Sequence, residues 1–222
     1  MDITKLTKLI EFDTPTVANA VELLAVRDPS GGYAGPDVRA LTPELGRRVG
    51  LAITARMDTT SPGTDRPSMD AWKDMLRRIQ TASRGATSEP VSVFAVIEAV
   101  GPRPRYTVVL GDVMASMLKM AGGVGFITNG SIRDIEGVAG VPMACWGAGL
   151  SPMHGRIRWL DVNSPVVIDG MTVRPGDIIH ADVNGVLVIP PDIADEVYEK
   201  ALVVQENERK RLARLREVGL EL

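Results

Sequence analysis

Apolar residues recur along the chain at two periods, and these predict its elements. Helical spacing appears in TPTVANAVELLAV (residues 14–26), where Val17, Val21 and Leu24 share a face, Thr14 is placed to cap and Pro15 stands in the first turn. SMDAWKDMLRRIQTA (68–82) predicts a second amphipathic helix, with Trp72, Met75, Leu76 and Ile79 on one side and Lys73, Asp74, Arg77 and Arg78 mostly on the other. RRVGLAITARM (47–57) has the alternating, β-branched pattern of a strand, and VSVFAVIEAV (91–100) and RYTVVLG (105–111) are short apolar runs of the buried-strand type. Residues 28–43 and 58–68 carry the Gly, Pro and Asp density of turns and loops.

After Gly111 the pattern reads helix DVMASMLKMAG (112–122) and then strand VGFIT (124–128), followed by an Asn-Gly turn. With the strand before it, this resembles a βαβ unit that sets Gly111 at a strand end beside a helix N-terminus. Residues 156–190 alternate short strands with DG, RPGD and NG turns and predict hairpins. A last helix follows Pro191. Its apolar spacing fades into charge after Gln205, where Glu residues interrupt the Arg and Lys, so it reads as a solvated or partner-packing helix. With no repeat, low-complexity tract or evident linker, the chain reads as one α/β domain over 1–222, with a charged C-terminal helix from about 192.

Composition narrows the function classes. The apolar fraction of 45% supports a sizeable core, and a net charge of −3 without a basic stripe argues against nucleic acid as a partner. Cys145 is the lone cysteine, which excludes an internal disulfide framework, and His154 and His180 lie in separate segments, so any metal falls to carboxylates and water. Lysines and acids interrupt the apolar run of the first residues, and no run approaches the roughly 18 apolar residues of a membrane span. The expectation is a soluble cytoplasmic protein with no membrane partner. Low aromatic content (4%) with 22 Gly and 15 Pro suits a turn-rich α/β chain rather than a helical bundle.

The candidate chemistry lies in GDVMASMLKMAGGVGFITNGSIRD (111–134). A helix start offers unpaired N–H groups and partial positive charge to an anion, and Gly111 lets a ligand approach that backbone closely. By itself Gly-Asp is an ordinary cap, and Arg133-Asp134 an ordinary surface pair. Together they offer a planar guanidinium for a carboxylate and an adjacent carboxylate suited to a hard, water-rich cation. Outside this stretch, His180 reads as structural or surface. Cys145 lacks a His partner for thiolate chemistry, and Met114, Met117 and Met120 read as core filler.

At these residues the chain resembles the RraA-like family, which includes 4-hydroxy-4-methyl-2-oxoglutarate aldolase, a class II pyruvate aldolase. The family's aldolase motif is an acidic residue, twenty intervening residues and Arg-Asp, and Asp112 with Arg133-Asp134 fits it. TVANAVELL (16–24), GLAITARM (50–57) and VNSPVVIDGMTVRPGDIIHADVNGVLVIP (162–190) extend the resemblance over most of the chain.

The resemblance implies a compact αββα fold, assembled as a homotrimer or homohexamer with sites near subunit boundaries. It implies a divalent-metal-dependent lyase (Mg²⁺ or Mn²⁺) acting on a 2-keto acid, cleaving a C–C bond beside a pyruvyl group through an enolate, with oxaloacetate decarboxylation as a second activity. Arg133 would bind the pyruvyl carboxylate and stabilise the enolate, Asp134 would hold the ion largely through water, and Asp112 would order water beside it. The amides following Gly111, at Val113 and Met114, would grip the carboxylate end of the substrate. Two alternatives stand beside this: a non-catalytic ring-shaped regulator that binds an RNA-degrading enzyme, and a keto-acid enzyme of another reaction type on the same scaffold.

The chain departs from the common family pattern around the motif. Gly137 stands where many relatives carry an acid, Asn129 replaces the acid of the usual IDG, and PMACWGAGLSP (142–152) replaces a shorter segment. Trp146 and His154 fall in or beside that altered segment; their ordinary readings are buried packing and surface loop, and either could line a different pocket.

Overall fold

A single long strand organises the molecule. In the computed structural model, which describes residues 3–63, 69–85 and 92–218, eleven residues form the strand Arg48–Asp58. Part of the loop expected over 58–68, the first residue of the helix expected over 68–82 and the first of the strand expected over 91–100 lie outside the described residues. In chain order the elements are α1 (Ile3–Lys8), α2 (Thr14–Leu23), β1 (Arg39–Ala40), β2 (Arg48–Asp58), α3 (Asp70–Arg84), β3 (Val93–Ala99), β4 (Val108–Leu110), α4 (Asp112–Met120), β5 (Gly123–Thr128), β6 (Ser131–Ile132), α5 (Ile135–Gly140), β7 (Ala144–Gly147), β8 (Gly149–Leu150), β9 (Arg158–Val162), β10 (Val166–Ile168), β11 (Met171–Val173), β12 (Ile178–Asp182), β13 (Gly185–Ile189) and α6 (Ala194–Val218).

β2 is long enough to serve two partners along one edge. Its first half pairs with β12 and its second half with β9, both antiparallel, while its other edge runs parallel to β3. The main sheet has the order β1-β7-β5-β3-β2-β12-β13, with β2, β3, β5 and β7 parallel. Period-2 alternation in β3 separates two cores: Val93, Ala95 and Ile97 face α3, α4 and α5, whereas Phe94 and Val96 face Trp146, Ile179 and the β10–β11 hairpin. Gly125 on the neighbouring strand makes room for Phe94, since a Cβ there would lie 2.2 Å from the ring. A third core packs α1, α2 and α6 against Val49, Ile178, Leu187 and Ile189. Both helical layers thus pack on one face of the sheet, which curls around the core of Phe94, Trp146 and Ile179, and the molecule is the expected α/β fold with central β structure and flanking helices.

Three local expectations change. The first long helix is capped by Asp13, whose carboxylate accepts the Thr16 N–H at 2.8 Å; Thr14 instead donates its own N–H to Asp182 and bonds His180 Nδ1 through its hydroxyl. β4 and β5 do not share a sheet: β4 forms a separate three-stranded sheet with β6 and β8, so the strand-helix-strand order is not a simple βαβ unit. Met114 packs against the core, but Met117 and Met120 are 39% and 85% exposed and are not core filler. α6 loses its buried positions after Val204, matching the point where apolar spacing fades.

His180 is structural. It is fully buried, with Nδ1 2.9 Å from the Thr14 hydroxyl and Nε2 3.1 Å from the Leu9 carbonyl, and burial pulls its pKa down to about 4. The unfolded chain therefore takes up a proton near pH 6.5 that the folded chain refuses until about 4. Stability is whole above pH 6.5 and declines as the pH falls toward 4, by up to about 3 kcal/mol from this group. Denaturant midpoints measured between pH 7 and 4.5 are expected to fall more steeply in the parent than in His180→Gln; equal slopes would assign the acid sensitivity elsewhere.

Candidate active site

The three short strands β4, β6 and β8 run parallel, pairing Val108 with Ser131, Leu110 with Ile132, and Ile132 with Leu150. Their carboxyl ends therefore lie side by side, where open α/β sheets bind ligands. One end releases Gly111 and Asp112, the next Arg133 and Asp134, and the third the segment beginning at Ser151. The Arg133 N–H donates to the Leu110 carbonyl and the Ser151 N–H to the Ile132 carbonyl, extending both pairings one residue past the strands. The twenty residues between Asp112 and Arg133 are thus the length of α4, β5 and the turn that returns the chain beside its starting point.

That turn rests on Asn129. Its Oδ1 accepts the Ala99 N–H at 2.7 Å and its Nδ2 donates to the Ala99 carbonyl at 3.1 Å, a reciprocal pairing that a carboxylate, which only accepts, cannot make. Asparagine in place of the usual acid thus has a structural reason, in contact with β3.

Gly111 is the N-cap of α4, with φ −132° and ψ 179°, and Asp112 is the first helical residue rather than the cap. The glycine is needed for contact and not for conformation, because any residue adopts extended backbone. A Cβ there would lie 2.9 Å from Asp134 Oδ2 and 3.1 Å from Arg133 Nε. Arg133 and Asp134 pair with each other, Nε to Oδ2 at 3.1 Å, with side chains 32% and 41% exposed. Asp134 sits in the left-handed region, φ 54° and ψ 42°, at the start of α5, a conformation that favours Asp and Asn among non-glycine residues.

Asp112 accepts the Val113 N–H at 2.7 Å through Oδ1, so an anion binding at the Val113 amide competes with the protein's own carboxylate. Gly137 presses on the other side of Asp112, where an added Cβ would lie 2.8 Å from the Asp112 Cβ. A side chain at 137, acidic or otherwise, would displace Asp112.

A cleft of about 300 Å³ opens over these strand ends, lined by Gly111, Asp112, Val113, Met114, Arg133 and, from the third segment, His154 and Ile157, with Val108 and Leu110 at its base. It brings together the sequence-predicted Gly111, Asp112, Val113, Met114 and Arg133. Asp134 does not line the cleft itself; its carboxylate reaches the cleft's edge through Gly111 and Arg133. The residue that sequence reasoning placed in a surface loop is His154, which is exposed but faces this cleft. The signal would have been β8, but two residues are too few to show a period. Trp146 is buried against Phe94, with Nε1 donating to the Asp182 carbonyl at 2.8 Å, and burial pushes the Cys145 thiol up, so neither takes part.

The donor set can be matched to a cation. Among the described residues no three His, Cys, Asp or Glu side chains converge into a metal cage. Asp134 and Asp112 offer oxygen donors at a solvent-open edge, which fits magnesium or manganese held by one or two carboxylates with water filling the remaining positions, and does not fit a closed zinc site.

These features define an α/β protein with a cleft at the carboxyl ends of three parallel strands. A family model described as "RraA-like: Aldolase/RraA" matches residues 14–188, and the chain belongs to the RraA-like family. It is 30% identical over 144 residues to an uncharacterized protein of Methanocaldococcus jannaschii, covering 64% of this chain and 65% of that one. It is 33% identical over 118 residues to a Halalkalibacterium halodurans protein named "Putative 4-hydroxy-4-methyl-2-oxoglutarate aldolase", covering 52% and 55%. The match to protein DlpA of Legionella pneumophila, 34% over 104 residues, covers 46% of this chain and 17% of DlpA. The chain thus spans less than two thirds of the length of these curated relatives.

Solved structures share the fold. An uncharacterized protein of Pseudomonas syringae superposes with a TM-score of 0.76 at 24% identity, covering 99% of this chain and 92% of that one. Streptomyces coelicolor RraAS2, described as an unusual member of the RNase ES inhibitor RraA protein family, superposes at 0.72 and 23%, covering 97% and 98%.

Proposed function

We propose that the protein is a divalent-metal-dependent lyase that cleaves the C–C bond beside a pyruvyl group, in a retro-aldol reaction of 4-hydroxy-2-oxo acids, with oxaloacetate decarboxylation as a second activity. The observation that carries this is the pairing of β4 with β6, which sets the α4 N-terminus, bare at Gly111, against Arg133 in one cleft with Asp134 at its edge.

Arg133 has its Nε on Asp134, and its two terminal nitrogens take the substrate carboxylate as a fork. As the bond breaks, the same positive charge stabilises the enolate that forms beside it. The α4 N-terminus, at Val113 and Met114, holds the carboxylate end. Asp134 would hold magnesium or manganese, with Asp112 ordering water, and the ion when bound supplies Lewis acidity to the 2-keto group. Residues 1–222 would act as one domain, and the exposed α4 residues Val113, Met117 and Met120 offer apolar surface to a homotrimer or homohexamer.

The test is pyruvate release from oxaloacetate and from 4-hydroxy-4-methyl-2-oxoglutarate with Mg²⁺, Mn²⁺ or EDTA. Metal-dependent release from both is expected. No release from either removes the lyase reading and leaves the non-catalytic regulator of an RNA-degrading enzyme or a keto-acid enzyme of another kind.

A further inference from the structure

We infer that His154 is the proton-transfer group of this cleft, removing the proton from the C4 hydroxyl of a 4-hydroxy-2-oxo acid; the inference rests on the lyase reading above. It begins with position. The segment after β8 forms part of the cleft wall, so that His154 and Ile157 line the space also lined by Gly111, Asp112 and Arg133. A substrate whose carboxylate lies at Arg133 and the α4 N-terminus extends its remaining carbons toward this segment.

The segment is held in place although it is exposed. Ser151 N–H bonds the Ile132 carbonyl at the end of β6, Met153 N–H bonds Ser151 Oγ at 3.3 Å, and Arg156 N–H bonds the Thr59 carbonyl at 3.3 Å. Gly155, with φ 63°, packs so closely on Thr59 that a Cβ would lie 2.5 Å from its carbonyl oxygen. Both sides of His154 are therefore tied to the framework that builds the cleft.

The tautomer follows from the ring's hydrogen bond to the backbone. Nδ1 lies 2.9 Å from the Gly155 carbonyl, and a carbonyl only accepts, so Nδ1 carries the hydrogen. In the neutral ring the lone pair is then on Nε2. A carbonyl that fixes one nitrogen and leaves the other as acceptor is the arrangement a general base requires.

The step balances without a further reactant. Nε2 takes the C4 hydroxyl proton, the O–H pair becomes the new C4=O bond, the C3–C4 bond breaks, and its electron pair passes to C3 as the enolate of pyruvate. The imidazolium then returns the proton to C3, giving pyruvate and the second carbonyl product. Oxaloacetate differs at one point: losing carbon dioxide needs no hydroxyl proton removed, and water can protonate the enolate.

This difference supplies the test. His154→Gln is expected to lower cleavage of 4-hydroxy-4-methyl-2-oxoglutarate on the order of 100-fold and oxaloacetate decarboxylation by much less, since only the first needs a hydroxyl proton removed. Added imidazole is expected to restore part of the cleavage in His154→Ala, with circular dichroism confirming that both variants fold. Equal loss of both reactions, unchanged cleavage, or no rescue would overturn His154 as the proton-transfer group and leave the lyase reading standing. A parent that turns over neither substrate overturns the lyase reading, and this inference with it.

Discussion

Arg133→Lys folds normally, still binds metal, and turns over oxaloacetate about 100-fold more slowly, a loss of about 2.7 kcal/mol in transition-state stabilisation. The arginine emerges from β6 with Nε on Asp134 Oδ2 and its side chain a third exposed. One planar group can hold that contact and still present two parallel donors to a ligand carboxylate. Lysine keeps the charge but concentrates it at a point, so it can serve Asp134 or the ligand without matching the fork. Stability is expected to change by less than about 0.5 kcal/mol, because the site is neither core nor cap. Steady-state kinetics with denaturant unfolding decide the matter; near-parental kinetics would show that this arginine is not the carboxylate clamp.

Asp134→Asn loses the stimulation of turnover by Mg²⁺ and Mn²⁺ and binds Mn²⁺ at least about tenfold more weakly. The choice of asparagine comes from the backbone. At φ 54° an alanine would add about 1–2 kcal/mol of strain, confounding lost charge with a disturbed α5, whereas asparagine tolerates this region and removes only the charge. Titration with Mn²⁺, followed by calorimetry, separates binding from catalysis. Unchanged Mn²⁺ affinity would assign the ion to other groups and reduce Asp134 to a partner of Arg133.

Much of the framework was legible because burial imposes a period. Val93, Ala95 and Ile97 alternate with Phe94 and Val96 because β3 has a core on each face, and Trp72, Met75 and Ile79 recur because α3 lays one face on the sheet. The Asp-Gly turn between β10 and β11 was legible for a conformational reason: Asp169 and Gly170 both take positive φ, which few residue pairs accept. The spacing from Asp112 to Arg133-Asp134 was legible as a motif, although nothing in the residues says why that count is needed.

The sequence by itself determined which faces are apolar, where the chain must turn and which charged residues stand at a strand end. Only the tertiary structure decided which ends meet. β6 and β8 have two residues each, too few to carry a period, yet the pairing of β6 with β4 and of β8 with β6 places Arg133 against Gly111 and brings His154 to the same cleft. Met117 and Met120 repeat at the spacing of a buried face but lie exposed, because helical spacing specifies a stripe and not what covers it. Gly111 and Gly137 owe their identity to side chains distant in sequence, Arg133 and Asp134 for the one and Asp112 for the other. Local pattern reports how each segment divides its own surface between core and solvent, while a site made of three strand ends depends on long-range backbone pairing that leaves almost no trace in any one of them.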